Sequence, residues 1–367
     1  MGITDFEHVF LHEEVKDMRV VDQLKNSLPN KEIRLIRDVS EAMAFVDHSS
    51  ERQIIQSGKK ILLLNNHKGN VIKYCPAKSP GCYKCCNLHT INLMSNCVFN
   101  CAYCILQNVL NSPLMQVHCN LDEIFSELDQ YDLSLSEPVR ICTGEIADSL
   151  ALEPILHQAK FLVEYFSHKK HLILELKTKS DQIESLLMVA PKGKTIVSFS
   201  INPEHVVKTI EFHTASLDAR LNAARRLIDH GYKVAFNLDP VIRFEGWEEH
   251  YDGLFQELNH RFSATEIAFV HVGLLRHTAG LDGLARQRFP GLRLFDEEFV
   301  MGPDRKLRYP KPVRESMYEF LYQRLRSWHS SLPFYACTEK ADHYQKFFDW
   351  IPGDDLELNR HVLKRVV

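Results

Sequence analysis

Nowhere in this 367-residue chain does an apolar run reach the roughly 18 residues that a membrane-spanning helix needs, and mean hydropathy is −0.23. A membrane protein is excluded on that reading. The opening stretch, MGITDFEHVFLHEEVKDMRV, holds no signal-peptide core, so the expectation is a cytoplasmic protein whose thiols stay reduced. Positive charge is not in excess: 44 Lys and Arg face 48 Asp and Glu, for a net charge of −4 and a pI near 6.5. A nucleic-acid contact would therefore need a local basic patch. Repeats, low-complexity tracts and heptads are absent, which excludes solenoids and coiled coils. Among 19 histidines there is no HExxH, and the one H-x3-H pair, His8 and His12, has no neighbouring ligands and reads as a helix face. The remainder, 45% hydrophobic and 25% charged, suffices for a large core in one big or two modest domains.

Cysteine is concentrated instead of scarce. Seven of ten fall between Cys75 and Cys104, and SNCVFNCAYCILQ sets Cys97, Cys101 and Cys104 in the spacing C-x3-C-x2-C. Three thiolates so spaced can hold three corners of a 4Fe-4S cube and leave the fourth iron open to a small molecule. A zinc site would have to close its shell with a fourth ligand from Cys82, Cys85, Cys86 or His89. Cys85 and Cys86, with Cys82 and Cys75, could hold a second metal, but buried structural thiols are the plainer reading. Disulfides do not suit a reducing compartment.

Beyond residue 88, apolar runs alternate with amphipathic stretches as in repeated β/α units. Expected strands are 89–95, 139–143, 171–178, 195–201, 233–239 and 266–273; LDEIFSELDQY, EPILHQAKFLVEYF and SLDARLNAARRLIDHGY read as intervening helices. The expected fold is α/β: a partial (β/α)6 TIM-type barrel over 89–300, with a small N-terminal cap over 1–88 and a C-terminal extension over 301–367. In the cap, KKILLLNNHKGNVIKY reads as a hairpin. Active sites of such barrels lie at the carboxyl ends of the strands, and the cysteine loop follows the first strand directly. Candidates at the other strand ends are Thr143, Gly144 and Glu145, then Lys179, Ser200, Asn202 and Asp239. Ser, Asn and Asp are equally the residues of turns and helix caps.

The cysteine loop, with Tyr103 before its last cysteine, resembles the signature of the radical S-adenosylmethionine superfamily. In order, YKCCNLHTINLMSNCVFNCAYCILQNVLNSP, ICTGEIADSLALEP, LELKTKS, VSFSINPEHV, the stretch from Ser216 to Tyr232 and DPVIRFEGWEEHY resemble the blocks of the spore photoproduct lyase family over roughly residues 82–300. RYPKPVR and LPFYACTEK are a weaker echo. The resemblance implies a 4Fe-4S cluster on Cys97, Cys101 and Cys104, S-adenosylmethionine as second cofactor, and a 5'-deoxyadenosyl radical that removes a hydrogen from a methylene-bridged thymine dimer. It implies an electron donor such as flavodoxin or ferredoxin, and DNA as substrate. Thr143, Gly144 and Glu145 then receive the cofactor's amino group, Lys179 its carboxylate, Ser200 and Asn202 its ribose, with Asp239 nearby. Cys142 aligns with the cysteine that returns a hydrogen to the product, and Tyr103 keeps the tyrosine before the last cluster cysteine as a second catalytic candidate. Two positions depart from the family. The tyrosine that follows the last cluster cysteine is Ile105 here, which has no hydrogen to relay, and Gly144 stands where serine is usual.

Two basic groups fall after the last strands. One holds Arg305, Lys306, Arg308, Lys311 and Arg314 around Tyr309; the other holds Arg276, His277, Arg286, Arg288 and Arg293. A charge run is usually a solvated face, but arginine beside an aromatic also suits phosphates and stacked bases, so Arg276, Arg305, Lys306, Arg308, Tyr309, Lys311 and Arg314 are expected nucleic-acid contacts. Three readings follow: a lyase-like radical enzyme of DNA repair, the same chemistry on another nucleic acid, a peptide or a metabolite, or a non-catalytic iron-sulfur or zinc protein.

Overall fold

Six strands form where the apolar runs place them: β1 (His89–Ile91), β2 (Val139–Cys142), β3 (Leu172–Thr178), β4 (Thr195–Ser200), β5 (Lys233–Val241) and β6 (Ile267–Leu274). The computed structural model describes residues 5–79 and 81–367. Each of the six pairs in parallel with the next, and β3 to β6 are buried along almost their whole length, as parallel strands covered on both faces must be. A seventh strand, β7 (Phe334–Ala336), extends the row beside β6, and Ile72–Tyr74 closes the other edge antiparallel to β1. The fold is the expected partial barrel with one further strand, supplied by the C-terminal segment.

The expected helices form as Leu121–Ser134, Glu153–Leu156, Ala159–Phe166 and Leu217–Asp229. Ser216 caps the last by accepting from Ala219 N–H. EPILHQAKFLVEYF is broken in two because His157 takes a left-handed conformation. Between β3 and β4 the chain makes only a 3-10 turn, Leu186–Met188.

The first part of the chain builds a second sheet in the order Ile33–Ile36, His8–His12, Ile61–Asn65, Met115–His118, Met94–Ser95. The hairpin expected across KKILLLNNHKGNVIKY does not form, since Ile61–Asn65 lies in this sheet while Ile72–Tyr74 edges the barrel. The run ILLL is apolar toward both faces, and only an interior strand covers both. Leu62 and Leu64 join the main core with Val9 and Leu11; Ile61 and Leu63 join Phe10 in a smaller core on the opposite face. His8 and His12, read as a helix face, are the two ends of a strand. The sheets exchange strands across residue 88, because the chain leaves β1 early and Met94–Ser95 pairs with Met115–His118.

Inside the barrel, Arg140 of β2 and Glu175 of β3 form an ion pair at 2.9 Å with both side chains at most 1% exposed. Ser198 of β4 donates to the same carboxylate, and Tyr335 of β7 lies within hydrogen-bonding reach of Arg140. Four strands are thus tied by one polar network.

Candidate active site

The cysteine loop is shaped by its flanks. Asn96 adopts positive φ, tolerable for asparagine, and its side chain accepts from Cys97 N–H while donating to Pro113 O. Asn100–Cys101 pairs antiparallel with Glu211–Phe212, so a short strand that follows the helix Glu204–Thr209 holds the loop from one side. Gln107 Nε2 donates to the carbonyls of Cys101, Ala102 and Cys104. All three thiols are free and line a cavity of about 280 Å3 at the carboxyl ends of the strands.

Opposite them stand Gly144 and Glu145 after β2, Lys177 and Lys179 of β3 and its exit, Ser200 of β4 and Asp239 of β5. Burial pushes the Glu145 carboxyl up, but the Lys177 ammonium paired with it outweighs that and holds it below the ordinary range. Asp239 is likewise held low, against burial, by the Arg276 guanidinium, which donates to both its oxygens at 2.9 and 3.1 Å. His271 donates from Nδ1 to Asn237 at 3.2 Å; burial pushes its constant down to about 4, so the ring is neutral. A Cβ on Gly144 would stand 2.6 Å from Lys177 O and 2.7 Å from Ser149 Oγ, which is the local reason for glycine where serine was expected.

The site brings together most of the residues read from the sequence. Cys97, Cys101, Tyr103, Cys104, Gly144, Glu145, Lys179, Ser200 and Asp239 line the cavity. Three others stand behind its wall. Thr143 donates to Ser149, Asn202 bridges Glu211 and Tyr251, and Cys142 is fully buried with its sulfur accepting from Gly144 N–H at 3.3 Å. Burial holds the Cys142 constant high, so it carries its hydrogen. Tyr103 donates its hydroxyl to Glu211, itself held down to about 2, against burial, by Arg220. Lys177, the cation that reaches Glu145, was not singled out from the sequence; its signal was the two-residue spacing from Lys179, which puts both on one face of the strand.

The basic groups fare differently. Tyr309 is fully buried, its hydroxyl accepting from Arg243 N–H and its ring stacked on Phe299, so it cannot stack on a base. Arg308 is 4% exposed and paired with Asp304. Arg276 is spent on Asp239 within the cavity. Arg314 pairs with Glu339, and Lys311 with Asp342 and Glu315. Of the residues read as phosphate contacts, Arg305 and Lys306 keep ammonium or guanidinium groups outside any ion pair among the described residues, and Lys306 stands at the cavity. A buried aromatic and buried arginines cannot be told from exposed ones by composition alone.

A metal or cofactor is tested against the donor set itself. A single zinc with thiolate bonds of about 2.3 Å draws its sulfurs to about 3.8 Å of one another. Among the described residues, the group with three candidate ligand atoms within 4.8 Å is Asp239, His271 and Cys337, and the loop thiols are spread more widely. Three thiols on the wall of one cavity fit three corners of an iron-sulfur cube. The second-metal reading of Cys75, Cys82, Cys85 and Cys86 finds no such convergence either.

The family described as "Spore photoproduct lyase" matches residues 7–324. A spore photoproduct lyase of Geobacillus sp. is 33% identical over 210 residues, which span 56% of this chain and 62% of that protein. A solved cysteine-to-alanine mutant of spore photoproduct lyase superposes with a TM-score of 0.80 at 25% identity, covering 90% of this chain and 98% of its own. A double mutant of a spore photoproduct lyase, described with bound AdoMet and dinucleoside spore photoproduct, superposes with a TM-score of 0.78 at 24% identity, covering 91% and 99%.

Proposed function

The chain belongs to the spore photoproduct lyase family of radical S-adenosylmethionine enzymes, and on that footing we propose that it splits a methylene-bridged thymine lesion in DNA, with Cys97, Cys101 and Cys104 holding its 4Fe-4S cluster. The observation that carries this reading is the strand-end cavity, where three spread thiols face the Glu145–Lys177 pair, Ser200 and Asp239. When bound, the cluster and S-adenosylmethionine supply a carbon-centred radical able to take one hydrogen atom. The protein's share is placement and exclusion of water.

Glu145 offers a carboxylate to the cofactor's ammonium group, and Lys179 offers a cation to its carboxylate. Ser200 faces the cavity to meet a ribose hydroxyl, whereas Asn202 acts through Glu211 and Tyr251 behind the wall. Cys142 is assigned to return a hydrogen to the product radical once the methylene bridge has broken; its thiol, held neutral by burial, stands directly behind Gly144 of the cavity wall, so the hydrogen has to pass that residue. Ile105 lines the cavity without a hydroxyl, so the cysteine is regenerated here by a route other than a tyrosine at this position. A flavodoxin or ferredoxin supplies the electron, and Arg305 and Lys306 meet phosphate.

The test is anaerobic reconstitution with iron and sulfide, followed by incubation with S-adenosylmethionine and a dinucleoside spore photoproduct. Release of thymidine and its loss in Cys142→Ala are expected. S-adenosylmethionine cleavage with no reaction of the lesion would favour another substrate.

A further inference from the structure

Two buried cations stand behind the cysteine loop without a carboxylate partner among the described residues. Lys59 is 8% exposed, and its ammonium donates to Phe99 O at 2.5 Å, in the middle of the loop. The charged or chargeable groups around it include the thiols of Cys97, Cys104 and Cys101, the guanidinium of Arg288 and the ring of His213. Arg288 is 4% exposed; it donates to Asn100 Oδ1 at 2.6 Å and to Gln107 Oε1, and its Nε has no partner. Its chargeable neighbours are Cys104, Arg52 and Lys59.

Burying one unpaired cation costs several kcal/mol, and a second of like sign nearby adds to it. The arrangement is nonetheless built with care. Lys59 follows the helix Glu51–Gly58, which packs on the helix Leu281–Arg288 that ends in the second cation. A Cβ on Gly58 would meet Pro113 at 2.5 Å, so glycine is what allows this helix end to approach the far side of the loop. Neutral thiols do nothing for the two charges, whereas three iron-bound thiolates are the missing anion.

We propose that Lys59 and Arg288 are the counter-charges of the iron-sulfur group held by Cys97, Cys101 and Cys104, and that they raise its reduction potential. The proposal rests on the function given above. Taking up one electron makes the thiolate-bound cluster more negative, and a fixed positive charge in a dry setting stabilises that state more than the oxidised one. Arg288 has a second task, since through Gln107 it also fixes the carbonyls of the loop; Lys59 is the cleaner probe. Both are positioning and tuning residues, not catalytic ones.

The experiment is a dye-mediated redox titration of the anaerobically reconstituted full chain, followed by the electron paramagnetic resonance of the reduced cluster. At the wild-type midpoint, Lys59→Met is expected to show about a tenfold lower ratio of reduced to oxidised cluster, equivalent to about 59 mV for one electron. Lys59→Arg, which keeps the charge, stays near wild type. A Lys59→Met cluster with the wild-type midpoint overturns the proposal, as does an equal shift in Lys59→Arg. Should Lys59→Met fail to load iron, Arg288→Gln read in the same way decides it, and an unshifted midpoint there also overturns it. A wild-type chain that takes up no iron and sulfide would instead defeat the function proposed for the site.

Discussion

Glu145 shows what a single side chain decides in this cavity. Its carboxylate is ionised because Lys177 outweighs the cost of burial, so it is poised to accept from an ammonium group. Replacing it with glutamine keeps the shape and removes the charge. Charge-assisted hydrogen bonds contribute roughly 1.5–3 kcal/mol, so Glu145→Gln should weaken S-adenosylmethionine binding by about tenfold or more, measured by calorimetry on the reconstituted protein. Unaltered affinity would assign Glu145 to the substrate or to Lys177 alone. Strand-end positions made Glu145, Ser200 and Asp239 legible from sequence, because a β/α rhythm fixes which residues face the mouth. It did not reveal that Arg276 is consumed by Asp239 or that Tyr309 is buried, since both follow from contacts between residues dozens of positions apart.

At the scale of elements, β1 to β6 were readable because each is a continuous apolar run bounded by turn residues. β7 was not: three residues within LPFYACTEK carry no periodicity, and their place beside β6 is settled by packing. The failed hairpin has the same cause, since ILLL fits a two-sided interior strand as well as one arm of a hairpin. The short β7 is held by its pairing with β6, and Tyr335 joins it to the network of Arg140, Glu175 and Ser198. Removing one member strands the rest in a dry interior, so Glu175→Ala should lower unfolding free energy by about 3–5 kcal/mol in urea titrations. A loss below about 1 kcal/mol would mean that the barrel closes without the ion pair.

For the molecule as a whole, acidity is the sensitive variable. Burial pushes His118, His271 and His343 down to about 4 from 6.5, so between those pH values the unfolded chain binds protons that the native chain refuses. Their contribution is intact above pH 6.5 and is lost as pH falls toward 4, with a limiting slope of about 1.4 kcal/mol per pH unit for each. His343→Gln, outside the cavity lining, should remove one such contribution from the pH profile of thermal unfolding; an unchanged profile would contradict it. The proposed contact with nucleic acid is also tested at the scale of the whole molecule. Lys306→Ala and Arg305→Ala should each flatten the salt dependence of DNA affinity by about 0.9 in slope, whereas Arg308→Ala should lower stability by stranding the buried Asp304. Filter binding at several salt concentrations, alongside melting curves, separates the two outcomes. The position of β7 also has a meaning in time. A ribosome makes β1 and the cysteine loop early and the strand that completes the sheet more than two hundred residues later. Until it has emerged, the growing chain carries its thiols on a sheet whose β6 edge is still open. For that interval the open edge of β6 is the surface that a folding helper has to cover, since an unpaired strand is a template for another chain.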